Sequence, residues 1–94
     1  MDFNITQNGY IIEVRGIIKT IANAESVIEA LNNIHDDKIV LKIYDSFGLP
    51  SSIIGYLVKF KDEGKHIVLE VGSDLLYELL DNLNLITPFN VKKI

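Results

Sequence analysis

At 94 residues and 10.6 kDa the chain has room for one compact domain spanning residues 1–94, not two. Its composition, 48% hydrophobic and 23% charged, is that of a globular domain able to bury a modest core. Nine basic against thirteen acidic side chains give a net charge of −4, with Arg15 the single arginine; no basic patch serves a nucleic acid, and with no cysteine there are no disulfides, thiolate metal sites or cysteine nucleophiles.

The opening Met1-Asp2-Phe3-Asn4 lacks the basic and apolar regions of a signal peptide. No uncharged apolar run approaches the ~20 residues that span a bilayer. The expectation is a cytoplasmic protein without direct membrane insertion. An apolar opening at Phe3 and Ile5 breaks at Gln7-Asn8-Gly9, which suits a tight hairpin turn. Tyr10 to Arg15 follows as a strand, with Tyr10, Ile12 and Val14 on one side, and Gly16 closes it. Asn23 is an N-cap residue type for an amphipathic helix carrying Ala24, Val27, Ile28, Leu31 and Ile34. Lys38 to Tyr44 reads as a strand, and Val40 and Tyr44 opposite Ile39, Leu41 and Ile43 predict that both its faces are covered.

Asp45 to Pro50 is a loop. Pro50 suits the first turn of a helix over Ser51 to Glu63, which Gly64 stops. Ile67, Val68, Leu69 and Val71 form the next strand. Ser73 caps a short helix with Leu75, Leu76, Leu79, Leu80 and Leu83, and Ile86 to Ile94 is an edge strand interrupted by Pro88. For that last strand, Lys92-Lys93 either protects the edge or leaves it to pair with another chain. The predicted order is β-β-α-β-α-β-α-β, an α/β fold with a mixed, mainly parallel sheet and packed helices.

Chemistry-bearing constellations are sparse. His35 and His66 are the only histidines, one in a turn and one opening a strand. No nucleophile elbow, phosphate-binding loop or metal-ligand spacing is present, so no catalytic residue, metal ligand or cofactor is assigned and the chain reads as a non-enzyme. One position stands out: Pro50-Ser51-Ser52 sets two hydroxyls in the first turn of a helix, where free N–H groups favour an anion. A phosphate on Ser51 is electrostatically acceptable there; the alternative is that Ser51 or Ser52 simply caps the helix.

Arg15-Gly16-Ile17-Ile18, then Asn23-Ala24-Glu25, then Pro50-Ser51-Ser52-Ile53-Ile54-Gly55, then Gly72-Ser73-Asp74 and a leucine-rich run into Pro88-Phe89 follow one another in order and spacing. In these motifs the chain resembles the STAS family, the domain of sulfate transporters and anti-sigma factor antagonists, over nearly its whole length. Three positions depart from that family's pattern: Pro50 stands for an aspartate, Ile53 for a glycine and Lys42 for an aspartate.

The resemblance implies a non-catalytic bacterial signalling module that binds a protein partner, an anti-sigma factor that is also a serine kinase. Phosphorylation of Ser51, or alternatively Ser52, then releases that partner and regulates transcription. The implied contact surface is Asp45, Ser46, Phe47, Gly48, Leu49, Pro50, Ser51, Ser52 and Tyr56. A second implication is a small subunit docking constitutively on the ATPase of a membrane transporter such as a lipid-transport complex. An enzyme or small-ligand carrier, with a pocket lined by the second helix, Tyr44 and Tyr56, is the third reading, with core packing as its plain alternative.

Overall fold

A computed structural model describes residues 3–94; Met1 and Asp2, part of the opening read above, lie outside the described residues. The elements run β1 (Asn4–Asn8), β2 (Ile11–Arg15), α1 (Ile21–Asn32), β3 (Lys38–Ile43), α2 (Ser51–Asp62), β4 (His66–Val71), α3 (Asp74–Asn82) and β5 (Val91–Lys93). They build an α/β fold around a five-stranded sheet in the order β1-β2-β3-β4-β5. The β1–β2 hairpin is antiparallel and the three following pairs are parallel.

Each parallel step moves one strand along in the same direction, so right-handed crossovers lay all three helices on one face of the sheet. The core agrees with this: Ile12, Val14, Ile39, Leu41, Ile43, Ile67, Leu69 and Val71 share one cluster with Val27, Leu31, Ile53, Leu57, Phe60, Leu76 and Leu80 of the helices.

The opposite face carries no helix, which corrects the expectation of a doubly covered β3. Val40 and Val68 are buried but outside that cluster; they lie in register with Ile11 and are shielded by their neighbours on the sheet. Next to this apolar strip the register aligns Thr6, Glu13, Lys42, Glu70 and Lys92, a row of alternating charge across the sheet. The alternation keeps like charges from facing one another on adjacent strands, and the row lies there without a covering layer.

Local chemistry sets the element ends, and several differ from the sequence reading. The hairpin loop is Gly9-Tyr10, with Gly9 at φ +62°, so Tyr10 belongs to the turn and β2 begins at Ile11. Thr20, not Asn23, is the N-cap of α1. Its hydroxyl accepts from Asn23 N–H while the Asn23 side chain accepts from Thr20 N–H, a reciprocal capping box. Pro50 is the N-cap of α2 rather than a residue of its first turn. Ser73 caps α3, accepting from Leu76 N–H at 3.3 Å, as its residue type predicts.

The carboxyl-terminal strand is only Val91–Lys93; Ile86 to Asn90 are turns. Asn84 and Asn90 adopt positive φ of 60° and 48°, and this bent path drives Phe89 fully into the core. An extended strand through Pro88 would forgo that burial.

Candidate functional site

The loops after β2, β3 and β4 gather at the carboxyl ends of the parallel strands, the end of such sheets where ligands and partners are ordinarily met. They are fastened to one another by backbone and side-chain contacts. Gly16, at φ +89°, donates its N–H to Asp45 Oδ2 at 2.7 Å. Ile18 N–H donates to Ser46 Oγ at 3.1 Å, and that hydroxyl donates to the Gly48 carbonyl at 2.9 Å. Gly72 donates to the Ile43 carbonyl at 2.8 Å, so close that a Cβ on it would stand 2.2 Å from the Tyr44 carbonyl oxygen.

This fastening divides the predicted contact residues. Ser46 is wholly buried and serves the two loops; Leu49 is buried in the core; Asp45 and Gly48 are half-buried and engaged in the same bonds. None of the four presents a free side chain to a partner. Tyr56 is half-buried, packed on the Phe60 ring and under Lys59 Nζ at 5.6 Å. Tyr44 lies toward the uncovered sheet face and donates to Glu13 Oε2 at 2.5 Å, with the Arg15 guanidinium over its ring. The two tyrosines are therefore packing and hydrogen-bonding groups, and they do not share a pocket.

Phe47, Pro50, Ser51 and Ser52 form the accessible part. Phe47 stays 58% exposed between wholly buried Ser46 and half-buried Gly48. Ser51 and Ser52 are exposed, and neither caps α2: the cap position is Pro50, which offers no side-chain bond. Ile53 and Ile54 N–H both converge on the Pro50 carbonyl at 3.0 and 3.2 Å, leaving the Ser51 and Ser52 amides ahead of the first acceptor of the helix. The anion-favouring end of α2 is thus open, with Lys59 and Lys61 at its other end complementing the dipole.

Beside the serines runs a groove of about 320 Å³ between the amino-terminal ends of α1 and α2. Ile21, Ala24 and Ile28 of α1 line one wall and Pro50 and Ser52 the other, with Lys19 and Glu25 among its lining. Ile21, 79% exposed as the first residue of α1, is the functional candidate the sequence reading missed. The signal was the Thr20-Ile21-Ala22-Asn23 pattern, where starting the helix at Thr20 moves Ile21 out of the preceding loop and onto the helix.

His35 and His66 are both exposed, and among the described residues no three His, Asp or Glu side chains gather to hold a metal ion. None of the described helices is long and apolar enough to cross a membrane. No protein-family model, curated protein or solved structure matches the chain.

Proposed function

We propose that this chain is a small STAS-like protein–protein interaction module of bacterial cytoplasmic signalling, a non-enzyme whose binding is switched by phosphorylation of Ser51. The observation that carries this reading is the exposed Ser51 hydroxyl on the uncapped amino terminus of α2, where Pro50 and Ser52 share a groove with exposed Ile21 and where the preceding loop exposes Phe47. A partner serine kinase, acting also as an anti-sigma factor, docks on that apolar surface. It transfers the γ-phosphoryl group of ATP to Ser51 Oγ: the bond to ADP breaks, the Oγ–P bond forms, and the serine proton leaves.

The product dianion is stabilised within the chain by the free amides of the first turn. At the centre of an interface the same charge must be desolvated against the partner, and the complex weakens. Transcription responds through the released anti-sigma factor.

The experiment is capture of the tagged chain from its own cells, with mass spectrometry of partners and phosphopeptides, followed by titration of the captured partner. Wild-type chain and Ser51→Ala bind alike; Ser51→Asp binds at least ~10-fold more weakly, with an unchanged thermal midpoint. Equal binding by Ser51→Asp overturns the switch. Recovery of a transporter ATPase with Ser51 unmodified replaces it with constitutive docking on a transporter.

A further inference from the structure

The two edges of the sheet are built differently. Strand β5 is three residues long, carries Lys92 and Lys93, and follows Pro88. Shortness, lysine and proline are the ordinary means by which an edge avoids pairing with another chain. Strand β1, Asn-Ile-Thr-Gln-Asn, is five residues long with no charge and no proline. In a chain with a net charge of −4, an uncharged, exposed edge is the exception.

The backbone groups that this edge offers follow from the register. Val40 N–H donates to the Tyr10 carbonyl at 2.9 Å and Tyr44 N–H to the Val14 carbonyl at 3.1 Å. The even residues of β2 therefore turn their backbone groups toward β3, and Ile11, Glu13 and Arg15 turn theirs toward β1. Asn8, Thr6 and Asn4 answer them across the hairpin. The N–H and C=O groups of Ile5 and Gln7 are left pointing away from the sheet.

We propose that β1 pairs antiparallel with β1 of a second copy of this chain, joining the five strands of each copy into one continuous sheet across a two-fold axis at Thr6. In that register Ile5 lies opposite Gln7 of the second copy, and Gln7 opposite its Ile5. The outward groups then meet in pairs, giving about four inter-chain hydrogen bonds. Thr6 faces Thr6 on the uncovered side, a favoured cross-strand pair, and Asn4 faces Asn8. No like charges are opposed, so the strand is its own complement.

The helix layer fits the same axis. Helix α1 packs over β1 and β2. With strands about 4.8 Å apart, its axis falls about 10 Å from that of its two-fold mate, the ordinary helix-packing distance. Ile21, Ala24, Glu25 and Ile28 face the groove toward α2. Away from that groove α1 carries the short uncharged side chains of half-buried Asn23 and exposed Ser26, while Ala30 is already buried in the core. Half-buried Phe3 and Ile5 lie under this flank and gain cover from the second copy. Two five-residue edges and a helix flank from each copy make a small interface, the size class of a transient rather than an obligate dimer.

Sedimentation equilibrium of the full chain, with Thr6→Lys and Gln7→Pro, tests this. Thr6→Lys opposes two lysines at the axis on an exposed face of the strand; Gln7→Pro removes an outward N–H that the single chain does not use. The wild type is expected to dimerise with a dissociation constant in the micromolar range, and each variant to raise that constant at least ~10-fold with the far-UV spectrum unchanged. Should Gln7→Pro lose its fold, Thr6→Lys alone decides. A wild type that is monomeric at about 100 μM overturns the proposal, and so does a dimer that survives the substitutions.

Discussion

Ser46 has no exposed surface, yet its hydroxyl accepts from one loop and donates within the next, so a single oxygen fixes two backbone segments. Replacing it by alanine leaves the Ile18 N–H and the Gly48 carbonyl without that partner. A buried polar group left unmade costs about 1–3 kcal/mol. Ser46→Ala is therefore expected to lower stability by about 2 kcal/mol, read as a lower urea midpoint at constant slope. Gly72 is constrained from the other direction: an added Cβ meets the Tyr44 carbonyl, a backbone atom that cannot swing aside. Gly72→Ala is expected to cost at least ~2 kcal/mol, because relief requires β3 and β4 to part at their ends. A Gly72→Ala midpoint equal to the wild type would mean that the loop after β4 can move without disturbing β3.

At the scale of elements, the two longer helices begin in opposite ways, and this gives a direct comparison. Helix α1 is held by the Thr20–Asn23 box, whereas α2 starts at Pro50 with no side-chain cap. Thr20→Ala should lose about 1 kcal/mol. Ser51→Ala and Ser52→Ala should each stay within about 0.5 kcal/mol, because neither hydroxyl holds the helix. Urea unfolding of the three variants checks this, and a cap-sized loss at either serine would return that residue to a structural role.

The capping box also shows what was legible in the sequence. Periodicity and glycine placed all eight elements in order, since the 2- and 3.6-residue patterns report burial directly. Thr20 and Asn23 are both cap-forming residue types, three apart and bonded to each other, so composition could not tell which end was the cap. Phe47 and Leu49 are equally apolar loop residues, and only the Ser46 clamp turns one outward and the other into the core. Val40 is buried by neighbours on the same sheet face, a lateral shielding that leaves no periodic trace distinct from a covering helix. Ile86 to Asn90 has the composition of a strand, but two left-handed asparagines bend it to deliver Phe89.

Across the whole molecule the helices cover one face of the sheet and charge organises the other. Glu13 is the most connected member of the alternating row: Tyr44 donates to it at 2.5 Å and Arg15 approaches at 3.8 Å. The Tyr44 hydrogen bond, with Arg15 and Lys42 nearby, holds the Glu13 carboxyl below the usual glutamate range. The same bond raises the Tyr44 hydroxyl above the usual tyrosine range. At the far edge, Lys93 Nζ lies 2.9 Å from Asp74 Oδ1, tying the start of α3 to β5; it lowers the Asp74 carboxyl and raises the Lys93 ammonium.

The signs set the pH window. A carboxyl lowered by folding contributes stability that is present above its unfolded value, roughly 4, and is lost as pH falls through the folded value. A tyrosine or lysine raised by folding contributes below its unfolded value, roughly 10, and loses that contribution as pH rises through the folded one. The two pairs therefore act together across the neutral range and fail at both ends, with salt weakening the exposed Lys93–Asp74 pair more than the part-buried Glu13–Tyr44 one. Tyr44→Phe isolates the first pair: it removes the donor and leaves the ring under Arg15. Titration of the Glu13 carboxyl by carbon NMR should show a midpoint below about 4.3 in the wild type and a rise toward that value in Tyr44→Phe. An unmoved midpoint would assign the lowering to Arg15, Lys42 and the Thr6 hydroxyl, and the row across the sheet would then hold Glu13 without the tyrosine.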